Sequence, residues 1–563
     1  MRCIRLVAMA PVLALCVPLF GIAPVGAAER PQPKLIVTIV VDQYSSDLFT
    51  RYRPTYNPKV NGLARLASGV VFPRGHQGHA ATETCPGHST ILTGAWPART
   101  GIVANDWQDP ALRRKSDGAD TFSIYCVEKP GEKDSDAKKR VISPGFLLVP
   151  TLGERMHARD PNSRVVAVAG KDRSAVMLGG AKADLTLWWT EKGFETYRGE
   201  ESRIPIAISN PGHDDDKNTV NYKVRASYAS RTVPTLPASC ANDTLKVDVP
   251  PKASVGVLQA TEPNSKRWRA TPAMDSLTVD AALEAMKALQ LGQRSSIDLL
   301  AVSLSANDYV GHYFGTAGPE MCAQQVALDQ SIGRLLAALD KTGVSYVVAF
   351  TADHGGLDLP ERNRLRGIPS AQRISAELLP GKMGAELAKE LGLSVNVVLG
   401  KNEFGNDVYL NPEIPPDQRA AALEAAARKY RAHPQVASVF TRNELIAAER
   451  PTGPVDEWTL LERAKASFNA SRSGDLIVLL KPYVTTYLSP ANLDTDYVAS
   501  HGSPWGYDRR VPILFWWKGV RGFDQPTAVQ TVDIVPTLAS LIGLEINANE
   551  IDGRALPIVL DSR

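Results

Sequence analysis

Three carboxylates of this chain, Asp42, Asp308 and Asp353, each leave the carboxyl end of a short, β-branched apolar run. The runs Leu35–Val41, Asp298–Leu304 and Val344–Thr351 have the length and composition of strands buried on both faces. Open α/β sheets place their sites in the crevice at the carboxyl ends of such strands. The three acids therefore predict one large α/β core rather than a string of average domains.

Each acid has an imidazole near it or later in the chain. His312 follows Asp308 by four residues, His354 adjoins Asp353, and His501 stands in Ser-His-Gly-Ser. Taken singly, a strand-terminal Asp is a turn former and an Asp-His neighbour pair is a surface feature. Taken together, three carboxylates and three imidazoles in matching contexts form a metal-ligand set. Mixed Asp/His ligation suits zinc or another borderline divalent cation, and six ligands suffice for two catalytic ions with three protein ligands each. Two adjacent ions point to transfer of a phosphoryl or related ester group.

Between the first and second acids lies Glu83-Thr-Cys-Pro-Gly-His-Ser-Thr-Ile-Leu-Thr-Gly94. Pro and Gly shape a turn, an apolar-periodic helix follows, and Thr84 stands at the helix start. Backbone N–H groups and the helix dipole stabilise an anion there. A Thr hydroxyl ionises poorly at neutral pH and needs a metal or a base to become a nucleophile. On its own Thr84 reads as a helix cap, since Ser and Thr are common there.

These segments, with Gly101-Ile-Val-Ala-Asn105-Asp-Trp and the tail Thr531-Val-Asp-Ile-Val-Pro-Thr-Leu, resemble the alkaline phosphatase superfamily. More narrowly they resemble its type I phosphodiesterase and nucleotide pyrophosphatase branch. Within that branch, Lys171 and Arg173 in Gly-Lys-Asp-Arg-Ser are similar to the pair found in PafA-type alkaline phosphatases, which act on monoesters. The resemblance runs from about Lys34 to about Leu556. It implies two Zn2+ per chain, one held by Asp308, His312 and His501, the other by Asp42, Asp353 and His354 with the Thr84 oxygen. It also implies a phospho-threonine intermediate on Thr84 and a hydrogen bond from Asn105 to a phosphoryl oxygen.

Lys171 and Arg173 bear on the substrate class. A monoester dianion carries two charges on three non-bridging oxygens, and a bidentate Arg with a Lys point charge suits it. The expected function is hydrolysis of small-molecule phosphate monoesters. A phosphodiesterase or nucleotide pyrophosphatase would share every metal ligand and Thr84, and would lack the Lys-x-Arg pair. A sulfatase would need Cys or Ser in the place of Thr84 and Arg in the place of His88, so that reading falls. A noncatalytic relic of the fold would have lost a ligand or the nucleophile, and none is missing.

Met1-Arg-Cys-Ile-Arg, the apolar Leu6–Ala23 and the small residues up to Ala28 make a secretory signal peptide, with cleavage near Ala28 and a periplasmic or secreted product. No later run is long and apolar enough to span a bilayer. The formal charge of +3 falls to about +1 once Arg2 and Arg5 leave, which gives no footprint for nucleic acid or an anionic membrane. Cys85, Cys126, Cys240 and Cys322 remain, and three pairings are open to them. The mature chain is expected to be a monomer.

Residues 29–563 are expected to form a single alkaline-phosphatase-like domain with a mostly parallel sheet flanked by helices. Further strands are expected at Arg164–Ala169 and Val511–Trp516, and helices at Met321–Thr342 and Ile534–Ile542. Segments near 108–142, 184–270 and 357–499 are richer in Pro, Gly and charge, carry none of the ligands, and are expected to form caps. His213-Asp-Asp-Asp216, within one of them, reads as a solvated acidic turn.

Overall fold

A computed structural model describes residues 33–116, 119–131, 140–208, 219–229, 236–240, 246–250, 253–258, 266–400, 403–492 and 495–558. Both the leader ending at Ala28 and the His213–Asp216 turn lie outside the described residues.

The core is a ten-stranded sheet. Five neighbouring strands run parallel in the order Tyr346–Thr351, Leu35–Val41, Asp298–Leu304, Val165–Ala169 and Leu185–Thr190. Arg510–Trp517 joins antiparallel beside Tyr346–Thr351, and Val70–His76 pairs antiparallel with it in turn. Gly193–Glu195 turns back along Leu185–Thr190 at the other edge.

Side chains alternate between the two faces of the strands, and both faces are covered. Val37, Ile39, Val41, Leu300, Val302, Val348 and Phe350 pack with the helices Pro272–Ala288 and Pro319–Lys341. Ile36, Val40, Leu299, Ala301, Val347 and Ala349 pack with Thr84–Thr93, Leu152–Arg159 and Ile534–Leu541. Burying one such Val, Ile or Leu contributes about 1.5–3 kcal/mol, so burial on both faces anchors the parallel strands.

The expected elements are present with ends displaced by one or two residues, as at Val165 in place of Arg164 and Tyr346 in place of Val344. One expectation needs correcting. The segment near 184–270 is not wholly a cap, because Leu185–Thr190 and Gly193–Glu195 complete the central sheet. The segment near 357–499 has its own three-stranded antiparallel sheet of Asp407–Val408, Leu476–Leu480 and Val436–Thr441. The helices Pro380–Leu391 and Arg419–Ala432 close a separate core around Leu387, Ala426 and Val478.

Candidate active site

Register brings the sheet's chemistry to one level. Val41 is paired with Leu304, Val40 with Thr351, and Ser303 with Ala169. Asp42, Asp308, Asp353 and Lys171 thus leave four adjacent parallel strands at their carboxyl ends. The turn after Leu35–Val41 is tight: Gln43 has φ 60°, a left-handed conformation that costs a non-glycine residue about 1 kcal/mol or more. Asn307 Nδ2 holds it by donating to Asp42 O at 3.1 Å and Gln43 O at 2.9 Å, and Gln43 N donates to Asp353 Oδ1 at 3.1 Å.

Two donor groups meet here, Asp308 with His312 and His501, and Asp42 with Asp308 and His354; within each the ligand atoms lie within 4.8 Å of one another. Asp308 Oδ1 is 3.4 Å from His312 Nε2 and 3.5 Å from His501 Nε2. His354 Nε2 is 3.6 Å from Asp42 Oδ1 and 3.4 Å from Asp353 Oδ2. Asp308 is common to both groups, and Asp353 stands against His354 at the edge of the second.

The imidazoles are oriented from behind. Nδ1 of His312, His354 and His501 lies 2.9, 2.8 and 2.8 Å from the carbonyls of Ala499, Gly355 and Thr82. A carbonyl only accepts, so Nδ1 carries the proton and the Nε2 lone pair turns inward. Burial lowers the pKa of His312 and His354 and pushes His501 well below the ordinary value, against the pull of the Asp308 charge on each.

The carboxylates are the harder burden. Asp42, Asp308 and Asp353 are buried together. Burial, and then the Asp353 charge, pushes Asp42 well above the usual carboxylate range. Burial acts the same way on Asp308, but His312 and Lys171 outweigh it and hold that group well below the range. Asp42 Oδ1, Asp308 Oδ1 and His354 Nε2 have no hydrogen-bond partner. Buried acceptors without donors require a cation, and this donor set fits divalent metal. The Lys171 ammonium already bridges Asp42 Oδ2 at 2.7 Å and Asp308 Oδ2 at 2.6 Å.

Thr84 opens the helix Thr84–Thr93 as its first residue, with Glu83 in the cap position, so its hydroxyl is not used as a cap. Thr84 Oγ1 lies 3.4 Å from Lys171 Nζ. A Cβ on Gly87 would stand 2.2 Å from Asp353 O, so glycine there lets the helix abut the strand end. Asn105 Oδ1 accepts from Cys85 N at 2.8 Å, capping the helix from across the site, and Asn105 N donates to Glu83 Oε2 at 2.7 Å. Arg173 is the second residue of the helix Asp172–Gly179, two residues from Lys171. The pairings left open are Cys85–Cys126 and Cys240–Cys322. Beside Lys171 and Arg173 a cleft of about 450 Å³ opens between Trp189, Arg269 and Tyr309.

The structure thus gathers every expected site residue. Sequence reasoning missed His88, whose Nδ1 lies 2.9 Å from Thr84 O and 3.0 Å from Asp353 Oδ2, and whose Nε2 is 2.8 Å from Ser303 Oγ. Its place in the nucleophile turn was the only available signal.

Residues 36–504 match the family model of type I phosphodiesterase / nucleotide pyrophosphatase. The chain belongs to that family. Within it the chain is 44% identical over 528 residues to "Alkaline phosphatase PhoD" of Zymomonas mobilis subsp. mobilis, covering 93% of this chain and 88% of the relative. It is 44% identical over 536 residues to "Alkaline phosphatase PhoK" of Sphingomonas sp, covering 94% and 91%. The crystal structure of wild-type alkaline phosphatase PafA superposes with a TM-score of 0.76 over 94% of this chain and 99% of that one; at 24% identity it shows the fold. As a member of this family, the protein is a hydrolase of the phosphodiesterase and phosphatase superfamily.

Proposed function

We propose that the chain is an exported zinc-dependent alkaline phosphatase that hydrolyses small-molecule phosphate monoesters through a phospho-threonine on Thr84. The observation that carries this is the convergence of Lys171 on Thr84 Oγ1, Asp42 and Asp308, with Arg173 beside it. The two relatives at 44% identity, both named alkaline phosphatases, support it.

Asp308, His312 and His501 would hold one ion, and Asp42, His354 and Asp353, with Thr84 Oγ1 as accessory donor, a second. Bound zinc supplies Lewis-acid stabilisation of the negative charge that builds on the entering and departing oxygens. The protein's own groups do the rest. Thr84 Oγ1 gives its proton to solvent water and attacks phosphorus, the bond from phosphorus to the ester oxygen breaks, and the departing alkoxide takes a proton back from solvent. The Lys171 ammonium, adjacent to Oγ1, favours the ionised hydroxyl. Water then attacks the phospho-threonine and gives up a proton, the Oγ1–P bond breaks, and Thr84 Oγ1 takes that proton, by way of solvent, as phosphate leaves. Asn105 donates to one non-bridging oxygen, and Lys171 and Arg173 meet the second charge that a monoester carries and a diester lacks.

Residues 29–563 read as one catalytic, monomeric domain with insertions, delivered to the periplasm by the segment ending near Ala28. Among the described residues no helix is long and apolar enough to cross a membrane. The deciding experiment is kcat/KM for an aryl phosphate monoester against its methyl diester, on protein of measured metal content. A preference for the diester would favour the second reading, a phosphodiesterase, for which the matching family model speaks.

A further inference from the structure

The hairpin of Asp106–Gln108 and Ser123–Tyr125 reaches the site at both of its ends. Asn105 precedes its first strand, and Asp106 is paired with Tyr125 on the second. Three polar groups of Asn105 are committed: N to Glu83, Oδ1 to Cys85 N, and O to Cys126 N at 2.9 Å. Its Nδ2 is the donor left for a ligand. Two of these partners, Cys85 and Cys126, are bonded to each other, and both are fully buried. The hairpin is thereby fastened covalently to the residue that follows Thr84.

Tyr125 completes the connection. Its hydroxyl donates to Asp172 Oδ1 at 2.6 Å, the same oxygen that accepts Arg173 N at 2.7 Å. The phenol oxygen also interacts with the Arg173 guanidinium, whose Nε has no hydrogen-bond partner. A guanidinium is a planar fork, and its value to an anion depends on the direction of that plane. An oxygen that bonds Asp172 on one side and faces the guanidinium on the other fixes that direction.

We propose that Tyr125 is a positioning residue for Arg173, and that the Cys85–Cys126 bridge joins hairpin and nucleophile turn into one frame aiming Asn105 and Arg173 at a common phosphoryl group. This rests on the reading that Arg173 meets phosphate. Discrimination between doubly and singly charged esters then depends on a hydroxyl and a disulfide that never touch the substrate. Were Tyr125 present only to satisfy the half-buried Asp172 carboxylate, its loss would lower stability and leave discrimination alone.

Tyr125→Phe keeps the ring and removes the hydroxyl. In the full-length, metal-loaded enzyme, competitive inhibition by inorganic phosphate, followed with a diester substrate, is expected to weaken about tenfold, the scale of one hydrogen bond to a charged group. Monoester kcat/KM should fall by about the same factor and diester kcat/KM by less than about threefold. In an Arg173→Ala background the change should add nothing. Equal losses on both esters, or the full loss repeated without Arg173, would overturn the assignment. Cys85→Ala with Cys126→Ala should weaken phosphate inhibition at unchanged metal content; unchanged inhibition would remove the bridge from the frame. Phosphate inhibition indifferent to Arg173→Ala would sink the underlying reading of Arg173, whereas a change there with none in Tyr125→Phe would sink only the positioning role.

Discussion

The imidazole of His354 stacks on that of His501, with ring centroids 3.7 Å apart and planes inclined by 21°. One ring follows the strand Tyr346–Thr351 and the other comes from a loop far along the chain. The two donor groups therefore share a wall as well as Asp308, and neither set of ligands is independent of the other.

Asp308→Asn should consequently disturb both ions. Metal analysis is expected to find two zinc ions in the native chain and one or fewer in the variant. Chelation of the native protein should lower Tm, because an ion present at about a thousand times its Kd stabilises the fold by about 4 kcal/mol. A variant that retained both ions would show that Asp308 serves neither group.

The parts of this site that lie on strand ends could be read from the letters, since a β-branched run announces its own carboxyl end. Asp42, Asp308 and Asp353 were legible for that reason. Val70–His76 was not, because Pro73, Arg74 and Gly75 interrupt it and only pairing along Arg510–Trp517 makes it a strand. Leu185–Thr190 has a plain strand sequence, yet the polar stretch after it drew the whole segment into a cap. His88 and Tyr125 meet partners distant in sequence, Ser303 for one and Asp172 for the other, and no local pattern records such contacts. The disulfide pairing was open for the same reason, since it depends on the hairpin lying over the nucleophile turn.

Thr84→Ala should abolish covalent phosphate on the protein while both ions stay, because its oxygen is nucleophile first and ligand second. Thr84→Ser keeps the hydroxyl and should retain substantial activity. Acid quenching followed by mass spectrometry reads the adduct directly. Phosphate still accumulating on the alanine variant would place the nucleophile elsewhere.

Asp407, in the small sheet with Leu476–Leu480, offers a pH signature of its own. Burial raises its carboxyl to about 6, against the hydrogen bond from Gly474 N at 2.6 Å. A folded-state pKa above the unfolded one means that stability is fully present below about pH 4 and is lost as pH rises through about 6. The loss is at most about 3 kcal/mol, from a shift of roughly two units at 1.36 kcal/mol each. Asp407→Asn removes the titration, so denaturant unfolding at pH 4.5 and 7.5 should show the variant gaining on the native chain at the higher pH. Parallel behaviour of the two proteins would mean that this carboxyl ionises without penalty.

Lys171 and Arg173 separate the two nearest functions. Each should stabilise the doubly charged transition state of a monoester more than the singly charged one of a diester, by about 2–4 kcal/mol for a preorganised charged contact. Replacing both by Ala should lower monoester kcat/KM by roughly 10³–10⁶-fold, with a much smaller loss on the methyl diester. Lys171 has a second duty, because its ammonium lies within 2.7 Å of both Asp42 and Asp308 and offsets their charge. Metal content must therefore be measured beside the rates. If the ions stay and both esters lose equally, the pair supports the shape of the site and does not read the charge of the phosphate.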